Sequence, residues 1–400
     1  MGNGGEYGQG LLFKMTPSGN LTVLHNFCAQ SEYADGADPV WLLSGTDGNY
    51  YGATWGGARS TMAPSSNLRD KICRRSCTIS TAMERIQRLS PGKQRLYGRA
   101  SHGGNLAGSG SALEIGGGTV FKISPDGQNF SLVYTFCSWT DCADGAVPFD
   151  ALTQGTGKDH PGTTWGGGSR PDGGTIFRVT PEWELAKVYT FCYDYPFCSD
   201  GGNPLAVVLG RDGNFYGATY SGASNRGTVF EITAEGKLTT ISSFCAQVGC
   251  TDGSGLRKGM TLGSEGNFYG TTYYGGTHDK GTVFKITPEG ELTTLHSFDG
   301  TSGNHPIGGS VQTTNGAFYG TTSSGGSDND GTIFSLAVGL HPFVETVPAS
   351  GEVGTNVIIL GNNLTGTTDV SFNGTPAHFT VVSSSEIIAT VPPRLQAPSW

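Results

Sequence analysis

The chain has 400 residues, a net charge of −9 and few charged residues (14%), set against 10% aromatic. The aromatic content argues against disorder. The lack of any basic stripe in the repeats sets nucleic acid aside as a partner. Glycine, at 65 residues, exceeds twice its ordinary share but keeps no three-residue period, which excludes a collagen-like rod. No apolar run reaches the ~18–20 residues of a membrane span. The opening MGNGGEYGQG has neither a basic start nor an apolar core. No signal peptide is therefore visible, and the N-terminus reads as the middle of a repeat, as if truncated.

In chain order, the first element is GLLF at residues 10–13, a worn copy of a recurring word, Gly-Thr-Val/Ile-Phe. Clear copies begin at Gly118, Gly174, Gly227, Gly281 and Gly331, at intervals of 56, 53, 54 and 50 residues. From Gly10 to Gly118 is 108 residues, twice 54, so about six units are present. The unit from Gly227 reads as four strands. GTVFEIT is followed by an AEG turn, then LTTISSF, rich in β-branched residues. A CAQVGCTDG loop leads to a third strand near residues 260–262. A turn at residues 264–267 opens the fourth, FYGTTYYGG, and a glycine-rich link leads to the next GTVF. In sister units that turn is Asp-Gly-Asn, a hairpin signal. Four antiparallel strands per ~50 residues match a β-propeller blade, which buries its faces only against neighbouring blades. The expected fold is all-β: a propeller of about six to seven four-stranded blades over residues 1–338.

The words GTVFKITPEGELTTLHSF and GNFYGTT resemble the GloVer (Gloeo–Verruco) tandem repeat of bacterial exported proteins, over residues 4–58 and 97–338. The resemblance implies an extracellular or cell-envelope location and carries no catalytic residues with it. Between residues 59 and 96 the pattern vanishes. Residues 59–99 hold ten of the 24 basic residues but only two acids, Asp70 and Glu84. The segment reads as an inserted basic loop, a diverged blade or a shifted reading frame, and one blade should form badly. Residues 339–393 change composition. SGEVGTNVIILGNNL and VSFNGTPAHFTVVSSSEIIATVP resemble an IPT/TIG immunoglobulin-like domain whose last strand or two is replaced by the tail 394–400, leaving an open sheet edge.

Cys137/Cys142, Cys192/Cys198 and Cys245/Cys250 recur just after the second strand of three units. Local disulfides are expected in an oxidising compartment; the rival, zinc, would find only half a tetrahedral site per loop and no histidine in register. Cys28 holds the first such position but Tyr33 replaces its partner cysteine, and Cys73 and Cys77 lie in the aberrant segment. Asp-Gly pairs at Asp35, Asp144, Asp200, Asp252 and Asp299 invite a calcium reading, but no unit supplies a full oxygen set. An aspartate capping a turn, with a positive-φ glycine after it, explains them.

Trp55, Trp165, Tyr220, Tyr273 and Tyr274 follow the Gly-x-Thr word, with Ser323 and Ser324 in the last unit. They either pack between blades or form one aromatic rim able to stack on sugars. No hydrolase, zinc-protease or phosphate-loop motif occurs, and the histidines do not repeat in register. The resulting expectation is a non-catalytic exported scaffold that binds a glycan or cell-surface protein on one propeller face, without metal, cofactor or membrane span. The alternatives are a propeller enzyme acting on polysaccharide (a lyase or kelch-type oxidase) and a damaged fragment.

Overall fold

The computed structural model describes most of residues 117–393, the strands Met83–Ile86 and Arg95–Ala100, and parts of residues 5–56. Among these residues there is no α-helix, only β-strands and short 3-10 turns. The strands assemble into successive antiparallel sheets of four. Sheet A joins Met83–Ile86, Arg95–Ala100, Thr119–Ile123 and Phe130–Thr135. Sheet B joins Ala146–Pro148, His160–Gly166, Thr175–Val179 and Leu185–Thr190. Sheet C joins Gly202–Leu209, Phe215–Ser221, Thr228–Ile232 and Leu238–Ser243. Sheet D joins the broken pair Ser254–Leu256 and Thr261–Leu262 to Phe268–Tyr274, Thr282–Ile286 and Leu292–Ser297. Sheet E has Asn304–Pro306, Val311–Gln312, Phe318–Ser324 and Ile333–Leu336. Two hairpins, Leu11–Met15 with Leu21–Asn26 and Ala37–Ser44 with Tyr50–Gly56, precede them.

This pairing corrects the phase of the repeat. Read from Gly227, GTVF should open a sheet; instead it is the third strand, paired to the FYGAT strand before it. The glycine-rich link is thus a hairpin within a sheet, and the cysteine loop is the step between sheets. Of the aberrant segment, only Met83–Ile86 and the start of Arg95–Ala100 are described, paired as the first two strands of sheet A. The expected badly formed blade otherwise lies outside the described residues, as do Cys28, Tyr33, Asp35, Cys73, Cys77 and the side chain of Trp55.

The repeated words have physical causes. The glycine of FYG faces the phenylalanine of GTVF across the ladder: Gly217 opposes Phe230 and Gly270 opposes Phe284. A Cβ on Gly270 would stand 2.5 Å from the Phe284 ring, so only glycine admits the ring. That ring packs on the phenylalanine ending the previous sheet: Phe136–Phe177 4.9 Å, Phe191–Phe230 5.2 Å, Phe244–Phe284 5.0 Å and Phe298–Phe334 5.2 Å between centroids. Each such buried ring contributes roughly 1.5–3 kcal/mol of burial, and the hydrophobic clusters accordingly bridge consecutive sheets.

The threonines form a second constant. Thr164–Thr175, Thr219–Thr228, Thr272–Thr282 and Thr322–Thr332 pair through their hydroxyls at 2.8–2.9 Å. The first threonine of each pair also accepts the backbone N–H of the second. The glycine of Asp-Gly lies over this pair: a Cβ on Gly253 would stand 2.4 Å from Thr272 Oγ1. A last sheet, Glu345–Val347, Asn356–Leu360, Glu386–Thr390 and Phe379–Ser383 in spatial order, closes on its own core of Val357, Ile359, Leu364, Ile387 and Ala389. It touches the repeats where Asn362 Nδ2 donates to Thr314 Oγ1 at 2.9 Å.

Candidate functional site

The Gly-Gly link and the cysteine loop meet at one end of sheets B and D, where Gly168 N donates to Cys142 O and Gly276 N to Cys250 O. The loops are closed by the disulfides Cys137–Cys142, Cys192–Cys198 and Cys245–Cys250. All six cysteines adopt positive φ, between 44° and 61°. A buried carboxylate organises each loop. Asp144 accepts from Tyr134 Oη (2.8 Å) and Ser138 N (3.0 Å); Asp200 accepts from Tyr189 Oη and Cys192 N, both at 3.0 Å. Asp252 accepts from Ala246 N at 2.9 Å. Burial raises the pKa of Asp200, opposed by the bond from Tyr189. The last unit has no such disulfide; there Asp299 accepts the backbone N–H groups of Thr301 and Ser302, each at 2.9 Å. The Ser302 N–H, followed by the Thr301 and Ser302 hydroxyls that also donate to it, holds its carboxyl well below the usual range. The aspartates are therefore loop organisers. Among the described residues no group of three or more His, Cys, Asp or Glu side chains is placed to hold a metal ion.

At the same end, the second strands of sheets B, C and D terminate in Trp165, Tyr220, Tyr273 and Tyr274. The structure brings these four together, with three groups that sequence reasoning missed. Phe149 lies 4.8 Å from Trp165, and Trp165 lies 5.3 Å from Tyr220. The Arg257 guanidinium then stands 5.1 Å from the Tyr220 ring centre and 4.7 Å from that of Tyr273. His305 stacks on Tyr273 at 4.4 Å and 11°, and Tyr274 meets both rings. In sheet E, Ser323 replaces the ring and donates to His305 O at 2.9 Å. Burial lowers the His305 pKa, with Lys280 acting the same way and Asp279 opposing.

The rings do not stand as separate open platforms. They lean on one another, and His305 occupies one face of Tyr273. What separates them from structural aromatics is their polar ends. Tyr134, Tyr189, Tyr216 and Tyr269 each donate the hydroxyl to a carboxylate, of Asp144, Asp200, Asp212 and Glu265 respectively. The hydroxyls of Tyr220, Tyr273 and Tyr274 meet no protein partner among the described residues. Arg257 could have been found by aligning the units on the glycine that lies over each threonine pair, Gly145, Gly201, Gly253 and Gly303: four residues on stand Phe149, Leu205, Arg257 and Ile307. His305 occupies the site of Val147, Asn203 and Gly255, all at positive φ. The disulfide loops add exposed apolar side chains at the same end, Trp139, Tyr193, Tyr195, Phe197 and Val248.

At the opposite end, Pro161 stands where sheets C and D have Tyr216 and Tyr269, which stack on Phe268 (4.4 Å) and Phe318 (4.0 Å) of the next sheet. A small cleft opens there, lined by Pro161, Ile176, Val207 and Phe215. His160 takes the place of the buried phenylalanine in that strand, and its pKa is pushed down to about 4 by burial, opposed by Asp159.

Among curated proteins the chain is similar to lactonase drp35 of Staphylococcus aureus (strain MRSA252), 28% identical over 123 residues. That stretch is 30% of this chain and 34% of the relative, so the match spans about a third of the relative's length. Among solved structures, a luciferin-regenerating enzyme aligns with a TM-score of 0.42 at 10% identity, covering 67% of this chain and 81% of that one. A Dyadobacter fermentans protein of unknown function aligns with a TM-score of 0.39 at 10% identity, covering 78% and 95%. A gluconolactonase from Xanthomonas campestris aligns with a TM-score of 0.34 at 10% identity, covering 68% and 79%. The family model described as the Gloeobacter/Verrucomicrobia repeat matches residues 160–378, more than half of the chain, from the second strand of sheet B through sheet E; the chain belongs to that family.

Proposed function

We propose that this chain is a non-catalytic exported or cell-surface scaffold that binds a glycan on the end of the sheets carrying Trp165, Tyr220, Tyr273 and Tyr274. In this reading the four-stranded sheets are blades of a propeller of six to seven blades over residues 1–338, and residues 339–393 form an IPT/TIG immunoglobulin-like spacer. One observation supports it above the rest: three tyrosine hydroxyls and one guanidinium gather there without a hydrogen-bond partner among the described residues, whereas Tyr134, Tyr189, Tyr216 and Tyr269 are tied to carboxylates. Sugars present hydroxyls and apolar patches together, and such a mixed surface suits them. The three disulfides suit an extracellular location.

The test is a glycan array probed with the oxidised chain and with a Trp165→Ala/Tyr220→Ala/Tyr273→Ala variant. Binding that disappears in a folded variant supports the reading; binding that survives, or none by either protein, refutes it. The likeness to a lactonase favours a second reading, an enzyme acting on a sugar-derived lactone or polysaccharide. Release of acid from a lactone panel, or of new reducing ends from polysaccharide, decides for it.

A further inference from the structure

Arg257 changes what the proposed site selects. The inference rests on the glycan-binding reading and narrows it. Its guanidinium lies between the rings of Tyr220 and Tyr273, at 5.1 and 4.7 Å. The side chain is exposed, yet it forms no ion pair and no hydrogen bond with the described residues. A planar cation with five N–H donors is thus held in place by two faces while its edges stay open. The neighbouring cation differs: Lys258 Nζ lies 3.7 Å from Asp150 Oδ1, which offsets its charge. The stacked imidazole of His305 is kept toward its neutral form by burial, so it adds donors and acceptors without lasting charge. In sister repeats the place of Arg257 belongs to Phe149, Leu205 and Ile307. An arginine here serves no packing need that those residues leave unmet, and the chain as a whole is acidic, with a net charge of −9.

We infer that the rim recognises a carboxylated glycan, a polysaccharide containing uronic acid, with the sugar carboxylate paired edge-on to the Arg257 guanidinium and the sugar hydroxyls meeting those of Tyr220, Tyr273 and Tyr274. Carboxylate and guanidinium match as two parallel N–H···O bonds, which lysine cannot reproduce. The surrounding aromatic rim favours a carbohydrate over an acidic peptide.

The experiment uses the full oxidised chain on a biosensor against polygalacturonate, alginate and hyaluronate, each paired with its carboxyl-reduced, neutral counterpart. The proteins compared are the unaltered chain, Arg257→Gln, Arg257→Lys and, as a charge control far from the rim, Lys237→Gln. At least one uronate polymer is expected to bind tenfold or more tighter than its reduced counterpart. Arg257→Gln should bring that ratio close to one, Arg257→Lys should recover only part of it, and Lys237→Gln should leave it intact. Equal binding of charged and reduced polymers, or a ratio that persists in Arg257→Gln, overturns the inference and leaves the glycan reading standing. Polyglutamate competing as well as the uronate also overturns it, by making the site a general polyanion binder. No binding to any polymer overturns the inference, and the glycan array then decides the wider reading. Unchanged unfolding midpoints separate these outcomes from misfolding.

Discussion

Thr219 and Thr228 look interchangeable in the sequence, but the structure makes them unequal. Both are buried, with relative exposures of 0% and 1%. Thr219 donates its proton to Ser221 O at 2.6 Å, so its oxygen accepts from both the Thr228 hydroxyl (2.8 Å) and the Thr228 N–H (3.0 Å). Thr219→Val keeps the shape but strands the buried Thr228 N–H, a loss of about 1–3 kcal/mol, and removes a further bond to Ser221 O worth about 1 kcal/mol. The total is roughly 2–4 kcal/mol. Thr228→Val removes one donor and strands nothing, because Thr219 still receives the N–H; about 1 kcal/mol or less is expected. Urea unfolding followed by tryptophan fluorescence measures both. Equal losses, or a Thr219→Val loss below about 0.5 kcal/mol, would refute the threonine pair as the latch of each sheet.

Gly270→Ala puts a methyl 2.5 Å from the Phe284 ring and should cost about 1–3 kcal/mol by overpacking, read as a lowered urea midpoint. Replacing Cys192 and Cys198 together by alanine should cost about 2 kcal/mol, the small entropy of a short closed loop; no change would mean that relief of the positive-φ backbone cancels it. Pro161→Tyr should stabilise by about 1 kcal/mol by stacking on Phe215 as Tyr216 does on Phe268, and a loss would show the cleft is too narrow. Asp299 has a lowered folded-state pKa, so its contribution is fully present above the unfolded value of about 4 and is lost as pH falls through the folded one. The stability gap between the parent and Asp299→Asn should therefore be flat at neutral pH and close in strong acid.

What the sequence disclosed was local and periodic. The Phe, Gly and Thr words recur because sheets B to E share the same ring, the same gap for it and the same latch. The cysteine pairs were legible because their partners lie within one loop. The phase of the sheets was not: GTVF can pair with the strand before or after it, and only the ladder Gly217↔Phe230 shows which. Four of the candidate aromatics do gather at one end, but the reason was hidden. Arg257 and His305 come from first strands, whose residues differ from unit to unit, so no repeated word marks them. A ring sequence of Trp, Tyr and Tyr cannot reveal that a guanidinium from the following repeat sits between two of them.

A binding scaffold holds its ligand at the rim without transforming it. The decisive measurement is calorimetric titration of the oxidised chain with the best array glycan, followed by mass spectrometry of the recovered ligand. Saturable binding, abolished in the Trp165→Ala/Tyr220→Ala/Tyr273→Ala variant and returning the glycan intact, is the predicted result. A cleaved or ring-opened product, or a heat of binding that the variant retains, would contradict it.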